Sequence, residues 1–199
     1  MNFKIVKPGN NLPVIAFLPG IGGTMKKWMN IYGKRKDFIG VYFDTPEQWH
    51  KTHMNEFLNI LTPIATANAS PLNVMGISNG ACFALMLLAE GKIDRCVSIA
   101  GSLFQGQPVK KGKVVMVNGM LDNQVPYNGG NAHSVSMTGA LNTFADLSGE
   151  IVRYDTPSMI QYVSGENVLW AVRKANHAVW PYVVKNKLFP IVDTVNFFL

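Results

Sequence analysis

Cysteine is scarce in this sequence. Only Cys82 and Cys96 are present, and both fall in apolar segments. Two cysteines exclude a fold that rests on a disulfide framework, which needs several bridges in a short chain. We therefore expect two small buried thiols, which give no information about the compartment of the protein.

Long apolar runs are absent as well. No segment approaches the roughly eighteen consecutive apolar residues of a membrane-spanning helix. Lys4, Lys7 and Pro8 interrupt the N-terminal segment, so it lacks the continuous apolar core of a signal peptide. We expect a soluble protein without a membrane span. The cytoplasm is the favoured location, and an extracellular one is left open.

Motifs for metals and nucleotides are also missing. The sequence has no HExxH pattern and no cluster of cysteines and histidines, so we expect no metal site. The glycine-rich segment 19–24 does not match GxGxxG, and no Gly-Lys pair with a following Ser or Thr comes after it. This argues against a phosphate-binding loop, and we expect no cofactor of any kind.

Charged residues make up only 15% of the chain, although the 18 basic residues outnumber the 12 acidic ones. A formal net charge of +6 could indicate a nucleic-acid partner. The basic residues are nevertheless scattered in small groups, which is typical of a solvated surface. We expect no nucleic-acid partner, and a weak preference for anionic polymers or surfaces is the alternative.

What the sequence does contain is an alternation of apolar strands and helices. Its 199 residues and 48% hydrophobic content are typical of one compact domain over residues 1–199. The middle strands are continuous apolar runs, as in parallel strands that are covered on both faces. We predict an α/β fold with a compact, doubly wound, mostly parallel sheet and no large lid. The predicted strands are 3–6, 14–18, 38–43, 73–77, 95–100, 114–118 and 168–173, and the predicted helices lie within 47–69, 81–90, 134–147 and 182–198.

A serine between two glycines follows one of these strands. Residues 76–80 read GISNG, which matches GxSxG directly after an apolar strand and before a helix. In such an elbow the hydroxyl of Ser78 is exposed on a tight turn, and Gly76 and Gly80 let neighbouring backbone approach. The N–H of Asn79, at the start of the helix, can then stabilise an oxyanion. We predict that Ser78 is a nucleophile, and an ordinary structural turn is the alternative.

An acidic residue and a histidine follow later strands. Asp122 comes just past the strand 114–118, where a carboxylate can orient a catalytic histidine. Taken alone, Asp122 is equally well explained as the cap of a turn or helix. His177 follows the last predicted strand, whereas the other three histidines do not follow a core strand. The chain order Ser78, Asp122, His177 is the order of an α/β-hydrolase triad.

Four segments of the chain resemble the α/β-hydrolase group that contains poly(3-hydroxybutyrate) depolymerases, feruloyl esterases and acetyl esterases. The most particular are the pattern DxxVPYxGG from Asp122 and the pattern HxxWP from His177. The strand and turn 14–24 and the elbow 76–81 complete the set, so the resemblance extends over most of the chain.

The resemblance implies specific roles for several residues. It implies Ser78 as the nucleophile, with Asp122 and His177 as its partners, and the backbone N–H groups of Ile21 and Asn79 as the oxyanion hole. The chain also departs from the group. It has Pro19-Gly20 where the group usually has His-Gly, and Asn118 where the group usually has another histidine. Neither departure removes a member of the triad.

The predicted function is that of a serine esterase. We expect it to hydrolyse a small ester or an ester-bearing polymer through an acyl-enzyme. The side chains of Trp28, Tyr127 and Trp180 are predicted to wall an apolar pocket for the acyl or aromatic group. The alternatives are a thioesterase or peptidase with the same triad, and a non-catalytic binding protein on a hydrolase scaffold. The acyl group, the alcohol and the oligomeric state are left open.

Overall fold

One β-sheet runs through the described part of the chain. The computed structural model describes residues 1–44, 47–106, 110, 112–130, 135–144, 151–186 and 195–199. The strands within these residues are β1 (Asn2–Val6), β2 (Val14–Leu18), β3 (Ile39–Asp44), β4 (Asn73–Ile77), β5 (Arg95–Ile99), β6 (Lys113–Gly119), β7 (Val152–Asp155), β8 (Met159–Ser164) and β9 (Asn167–Val172).

Most of the sheet is parallel. The strand order is β1-β3-β2-β4-β5-β6-β9-β8-β7, and the strands from β3 to β9 in this order run in one direction. At one edge, β1 pairs antiparallel with β3. At the other edge, β8 pairs antiparallel with β9, and β7 pairs antiparallel with β8. Gly76 of β4 pairs with Leu18 of β2 and with Ser98 of β5, so the elbow at Ser78 lies at the middle of the sheet. The prediction of a mostly parallel α/β sheet is confirmed.

Helices cover both faces of the sheet. Side chains of α1 and α5 pack against one face, and those of α2, α3 and α4 pack against the other. No helix within the described residues is long and apolar enough to cross a bilayer. The helices are α1 (Met25–Tyr32), α2 (Met54–Thr66), α3 (Asn79–Ala89), α4 (Met137–Phe144) and α5 (Val179–Asn186).

The two faces of β2 explain why the sheet is buried on both sides. Ile15 and Phe17 point into one core, where the Phe17 ring stacks on Tyr42 at 4.8 Å between ring centroids. The alternate residues of the strand belong to the other core, together with most of α3. Because successive side chains of a strand point to opposite faces, an apolar run of this length needs a helix layer on each side.

Both cysteines are buried and free, as predicted. Cys96 lies on β5, and Cys82 lies on α3 with its Sγ accepting a hydrogen bond from the backbone N–H of Ser102. Burial raises the pKa of each thiol, because the charged thiolate would lose its hydration. The two cysteines therefore act as apolar core side chains.

The structure also contains elements that the apolar pattern did not predict. β7 and β8 form a hairpin at an edge of the sheet, and every residue of β7 is exposed. α1 is short, and only Trp28 and Tyr32 on it are buried. The predicted helix 134–147 appears as Met137–Phe144, and α5 begins at Val179 instead of residue 182. Residues 134 and 145–147 of that predicted helix, and Pro190 with its neighbours, lie outside the described residues.

Candidate active site

Ser78 stands on a sharp turn between β4 and α3. Its backbone has φ 53° and ψ −124°, which is strained for a residue with a side chain. The strain is held in place by neighbours, because the Ser78 N–H donates to the carbonyl oxygen of Ile99 at 2.8 Å. A Cβ on Gly76 would lie 2.4 Å from the carbonyl oxygen of Gly80, so the turn closes only with glycine there.

Gly80 allows α3 to lie directly against β2. A Cβ at this position would lie 2.4 Å from the carbonyl oxygen of Pro19 and 2.6 Å from that of Leu18. We expect Gly80→Ala to push α3 away from the strand and to lower the free energy of unfolding by about 3 kcal/mol, as overpacking does. Chemical denaturation measures this change.

Gly9→Ala is the matched control for that substitution. The nearest atom to a Cβ on Gly9 is Cδ1 of the Leu12 side chain, at 3.4 Å, so the methyl group has room. The free energy of unfolding should change by no more than about 0.5 kcal/mol. Equal stability of Gly80→Ala and Gly9→Ala would contradict the close approach of α3 to β2.

His177 forms a hydrogen bond with Ser78. It lies between β9 and α5, and its Nε2 is 2.8 Å from Oγ of Ser78. The loop that carries His177 packs on the end of β6, because a Cβ on Gly119 would lie 2.4 Å from the carbonyl oxygen of Ala175. The N–H of Leu121 also donates to that oxygen at 2.9 Å. The histidine loop and the Asp122 loop are therefore joined by backbone contacts.

Asp122 completes a line of hydrogen bonds. Its Oδ2 is 2.8 Å from Nδ1 of His177. Its Oδ1 accepts hydrogen bonds from the backbone N–H groups of Gln124 and Val125, each at 2.9 Å. The Asp122 side chain is fully buried, whereas that of His177 is 19% exposed. Asp122 thus caps its own turn and also faces the histidine, so the two interpretations of this residue are compatible.

The other acids and histidines lie elsewhere. Asp155 is exposed on β7, where it pairs with Arg173 and Arg153, and the hydrogen bonds from these two guanidinium groups lower its pKa. The N–H of His50 donates to Nδ1 of His53 at 3.0 Å in an exposed turn before α2. His133 and Asp146 lie outside the described residues.

The turn 19–24 passes directly over the serine. A Cβ on Gly20 would lie 3.0 Å from Cβ of Ser78 and 3.3 Å from the carbonyl oxygen of Ile77, so a side chain at this position would crowd the serine. The N–H of Gly23 donates to the carbonyl oxygen of Gly20 at 2.9 Å, which closes the turn. Ile21 lies in this turn, and Asn79 is the first residue of α3, where a backbone N–H has no acceptor within the helix.

A pocket of about 860 Å³ opens beside Ser78 and His177. Of the three aromatic residues predicted to wall it, Trp28 and Trp180 do so. Tyr127 lies instead in the core on the other face of the sheet, because its loop turns back and its carbonyl oxygen accepts from the N–H of Met137 at the start of α4. The full lining is Pro19, Gly20, Ile21, Gly22, Gly23, Thr24, Lys27, Trp28, Asn30, Ile31, Ile77, Ser78, Gln124, His177, Trp180 and Pro181.

Several lining residues escaped the sequence analysis for one reason. Lys27, Asn30 and Ile31 lie on α1, a helix that was not predicted. Their signal was the spacing of Trp28 and Tyr32, which places two aromatic side chains one turn apart on one helix face. Gln124 was within the recognised Asp122 segment, but nothing in its residue type pointed to the pocket.

No family model and no curated protein sequence matches this chain. Solved structures do match it. The esterase PE8 has a TM-score of 0.66 at 14% identity over 100% of this chain and 98% of its own. Acyl-protein thioesterase 2 of Zea mays has a TM-score of 0.59 at 14% identity over 98% of this chain and 99% of its own. An alpha-beta serine hydrolase homologue from Coxiella burnetii has a TM-score of 0.59 at 11% identity over 94% of this chain and 88% of its own.

These similarities concern the fold. They extend over nearly the whole of each chain, and they confirm the predicted α/β-hydrolase fold. At such low identity they carry no residue roles and no substrate. The narrower resemblance to depolymerases and feruloyl esterases stays a prediction.

Proposed function

We propose that this protein is a serine hydrolase that cleaves carboxylic esters through a covalent acyl-enzyme. The observation that carries the proposal is the line of hydrogen bonds from Oγ of Ser78 to Nε2 of His177 and from Nδ1 of His177 to Asp122, each 2.8 Å long. A nucleophile, a base and a group that orients the base are the three parts that acyl transfer needs.

The acylation step follows from this geometry. Oγ of Ser78 forms a bond to the ester carbonyl carbon while its proton moves to Nε2 of His177. The carbonyl oxygen becomes an oxyanion, and we assign its stabilisation to the backbone N–H groups of Ile21 and Asn79. His177 then gives its proton to the departing alkoxide, which leaves as the alcohol. Asp122 orients the ring throughout and stabilises the imidazolium.

Deacylation repeats the sequence with water. His177 takes a proton from a water molecule, whose oxygen forms a bond to the acyl carbon. When the second oxyanion collapses, the bond to Oγ of Ser78 breaks, the proton returns to Oγ and the carboxylic acid leaves. This cycle needs no metal or organic cofactor.

The lining of the pocket supports an apolar acyl or aryl group in the substrate. Trp28, Trp180 and Ile77 form apolar walls around the serine. Ile21 and Ile31 extend this lining outwards, and they are 60% and 41% exposed. Apolar side chains around a few polar groups are the usual composition of a site for a small organic substrate. The proposed substrate is a small ester or one ester unit of a polymer, in line with the resemblance to depolymerases and feruloyl esterases.

A fluorophosphonate probe tests the proposal. We expect the probe to label the folded protein at Ser78, located by mass spectrometry, and p-nitrophenyl esters to be hydrolysed. Acyl thioesters and peptide anilides serve as competing substrates, because the triad does not define the leaving group. Faster turnover of a thioester would support the thioesterase alternative. A folded protein that neither takes the label nor turns over any substrate would be a binding protein on a hydrolase scaffold.

A further inference from the structure

Trp49 connects the two parts of the chain that carry the proposed oxyanion donors. It lies between β3 and α2 and is only 4% exposed. Its indole Nε1–H donates to the carbonyl oxygen of Pro19 at 3.0 Å. Its backbone N–H donates to Oδ1 of Asn79 at 2.5 Å, and its carbonyl oxygen accepts from Nδ2 of Asn79 at 3.4 Å.

Both ends of this connection lie next to proposed donors. The Pro19 carbonyl begins the turn that carries the N–H of Ile21, and the two groups belong to consecutive peptide units joined at Cα of Gly20. Asn79 binds Trp49 through its side-chain amide. Its backbone N–H, at the first position of α3, is the other proposed donor. The separation of the two N–H groups is therefore coupled to the position of one tryptophan.

The tryptophan ring is itself held firmly. It stacks on Phe83 of α3 at 5.1 Å between ring centroids, with 26° between the planes. Phe57 of α2 packs edge-on against it at 6.3 Å. The indole N–H cannot leave the Pro19 carbonyl without disturbing this aromatic cluster. The position of the Pro19 carbonyl is therefore fixed before any substrate arrives.

We propose that Trp49 is a positioning residue that holds the two N–H donors of the oxyanion hole at a fixed separation. The inference rests on the proposed function, since it concerns the oxyanion of ester hydrolysis. Trp49 itself does not touch the reacting atoms. It acts through the Pro19 carbonyl and the Asn79 side chain, and its effect appears where negative charge develops on the substrate oxygen.

Trp49→Phe tests this role, because it removes the indole N–H and keeps an aromatic ring against Phe83. Loss of a whole oxyanion donor costs about 10²–10³ in kcat, so displacement of one donor should lower kcat about tenfold. kcat and kcat/KM should fall together with KM unchanged, because the interaction is made only in the transition state. Steady-state kinetics on a p-nitrophenyl ester measures both constants.

Two further variants separate positioning from simple packing. Phe57→Leu thins the same aromatic cluster and leaves all three hydrogen bonds of Trp49 in place, so its kcat should stay within about twofold of wild type. Incorporation of 3-benzothienylalanine at position 49 replaces the indole N–H by sulfur at nearly the same ring size. It should reproduce the loss seen with Trp49→Phe without a comparable loss of stability.

The outcomes distinguish this inference from the proposed function. If wild-type protein is labelled by a fluorophosphonate at Ser78 and hydrolyses a p-nitrophenyl ester, the proposed function holds. In that case, a kcat of Trp49→Phe or of the benzothienyl variant within about threefold of wild type overturns the positioning role alone. An equal fall of kcat in Phe57→Leu also overturns it, in favour of packing. Wild-type protein that is neither labelled nor active overturns both proposals.

Discussion

Ser78→Ala is expected to lower ester hydrolysis about 10⁶-fold, the loss measured when the serine of a catalytic triad is removed. Without Oγ there is no atom to form the acyl-enzyme, although the pocket and the backbone donors stay in place. The substitution removes the hydrogen bond from Oγ of Ser78 to His177. The fold should be unaffected, because backbone contacts hold the strained turn. The comparison of kcat/KM on a p-nitrophenyl ester, with thermal unfolding of both proteins, measures the two effects.

Ser98→Ala is the control for that experiment. Ser98 is fully buried on β5, in register with Gly76, and the substitution removes an equally small hydroxyl group one strand away. Its activity should stay within about twofold of wild type. Purified Ser78→Ala that keeps more than about a tenth of wild-type activity would contradict the role of Ser78 as nucleophile.

The sequence predicted the placement of the three triad candidates because it predicted the strands. Ser78, Asp122 and His177 each follow a strand of the parallel part of the sheet, namely β4, β6 and β9. The carboxyl ends of parallel strands meet at one edge, so residues far apart in the chain come together there. Continuous apolar runs such as Val14–Leu18 were enough to find these strands.

Elements without such runs were missed. β7 has no buried residue, so its four residues carry no apolar signal, and its partner β8 is only partly buried. α1 has no continuous apolar run, because its core face consists of the buried Trp28 and Tyr32 with the partly buried Met25 and Met29. Because α1 was not predicted, the wall of the pocket that it supplies was not predicted either.

Two side chains show a second limit. Tyr127 follows Asp122 closely in the sequence, yet a few residues of loop carry it to the opposite face of the sheet. Trp49 is thirty residues from both Pro19 and Asn79, its hydrogen-bond partners. One of those partners is a backbone carbonyl, which has no signature in the sequence. Contacts of this kind depend on tertiary packing, and neither periodicity nor spacing reports them.

Asp122→Asn is expected to lower kcat about 10⁴-fold, as the same change does in a triad whose acid only orients the histidine. Oδ1 of the new amide can still accept from Gln124 and Val125, so the turn should keep its shape. The NH₂ group that replaces Oδ2 would then face Nδ1 of His177. Two donors cannot face each other, so Nδ1 must become the acceptor and the ring proton must move to Nε2. A protonated Nε2 cannot take the proton of Ser78.

Asp155→Asn is the matched control, because it makes the same chemical change at an exposed carboxylate far along the sheet. Asp155 pairs with Arg153 and Arg173 on the surface, and the loss of these contacts leaves the hydrogen bonds of Asp122 and His177 untouched. The kcat of Asp155→Asn on a p-nitrophenyl ester should therefore equal that of wild type. Equal losses in the two variants, or a larger loss at Asp155, would assign the orienting role to another carboxylate. A large loss in Asp122→Asn alone, with an unchanged unfolding midpoint, would place the effect at Oδ2 of Asp122, which sets the tautomer of His177 and stabilises its imidazolium.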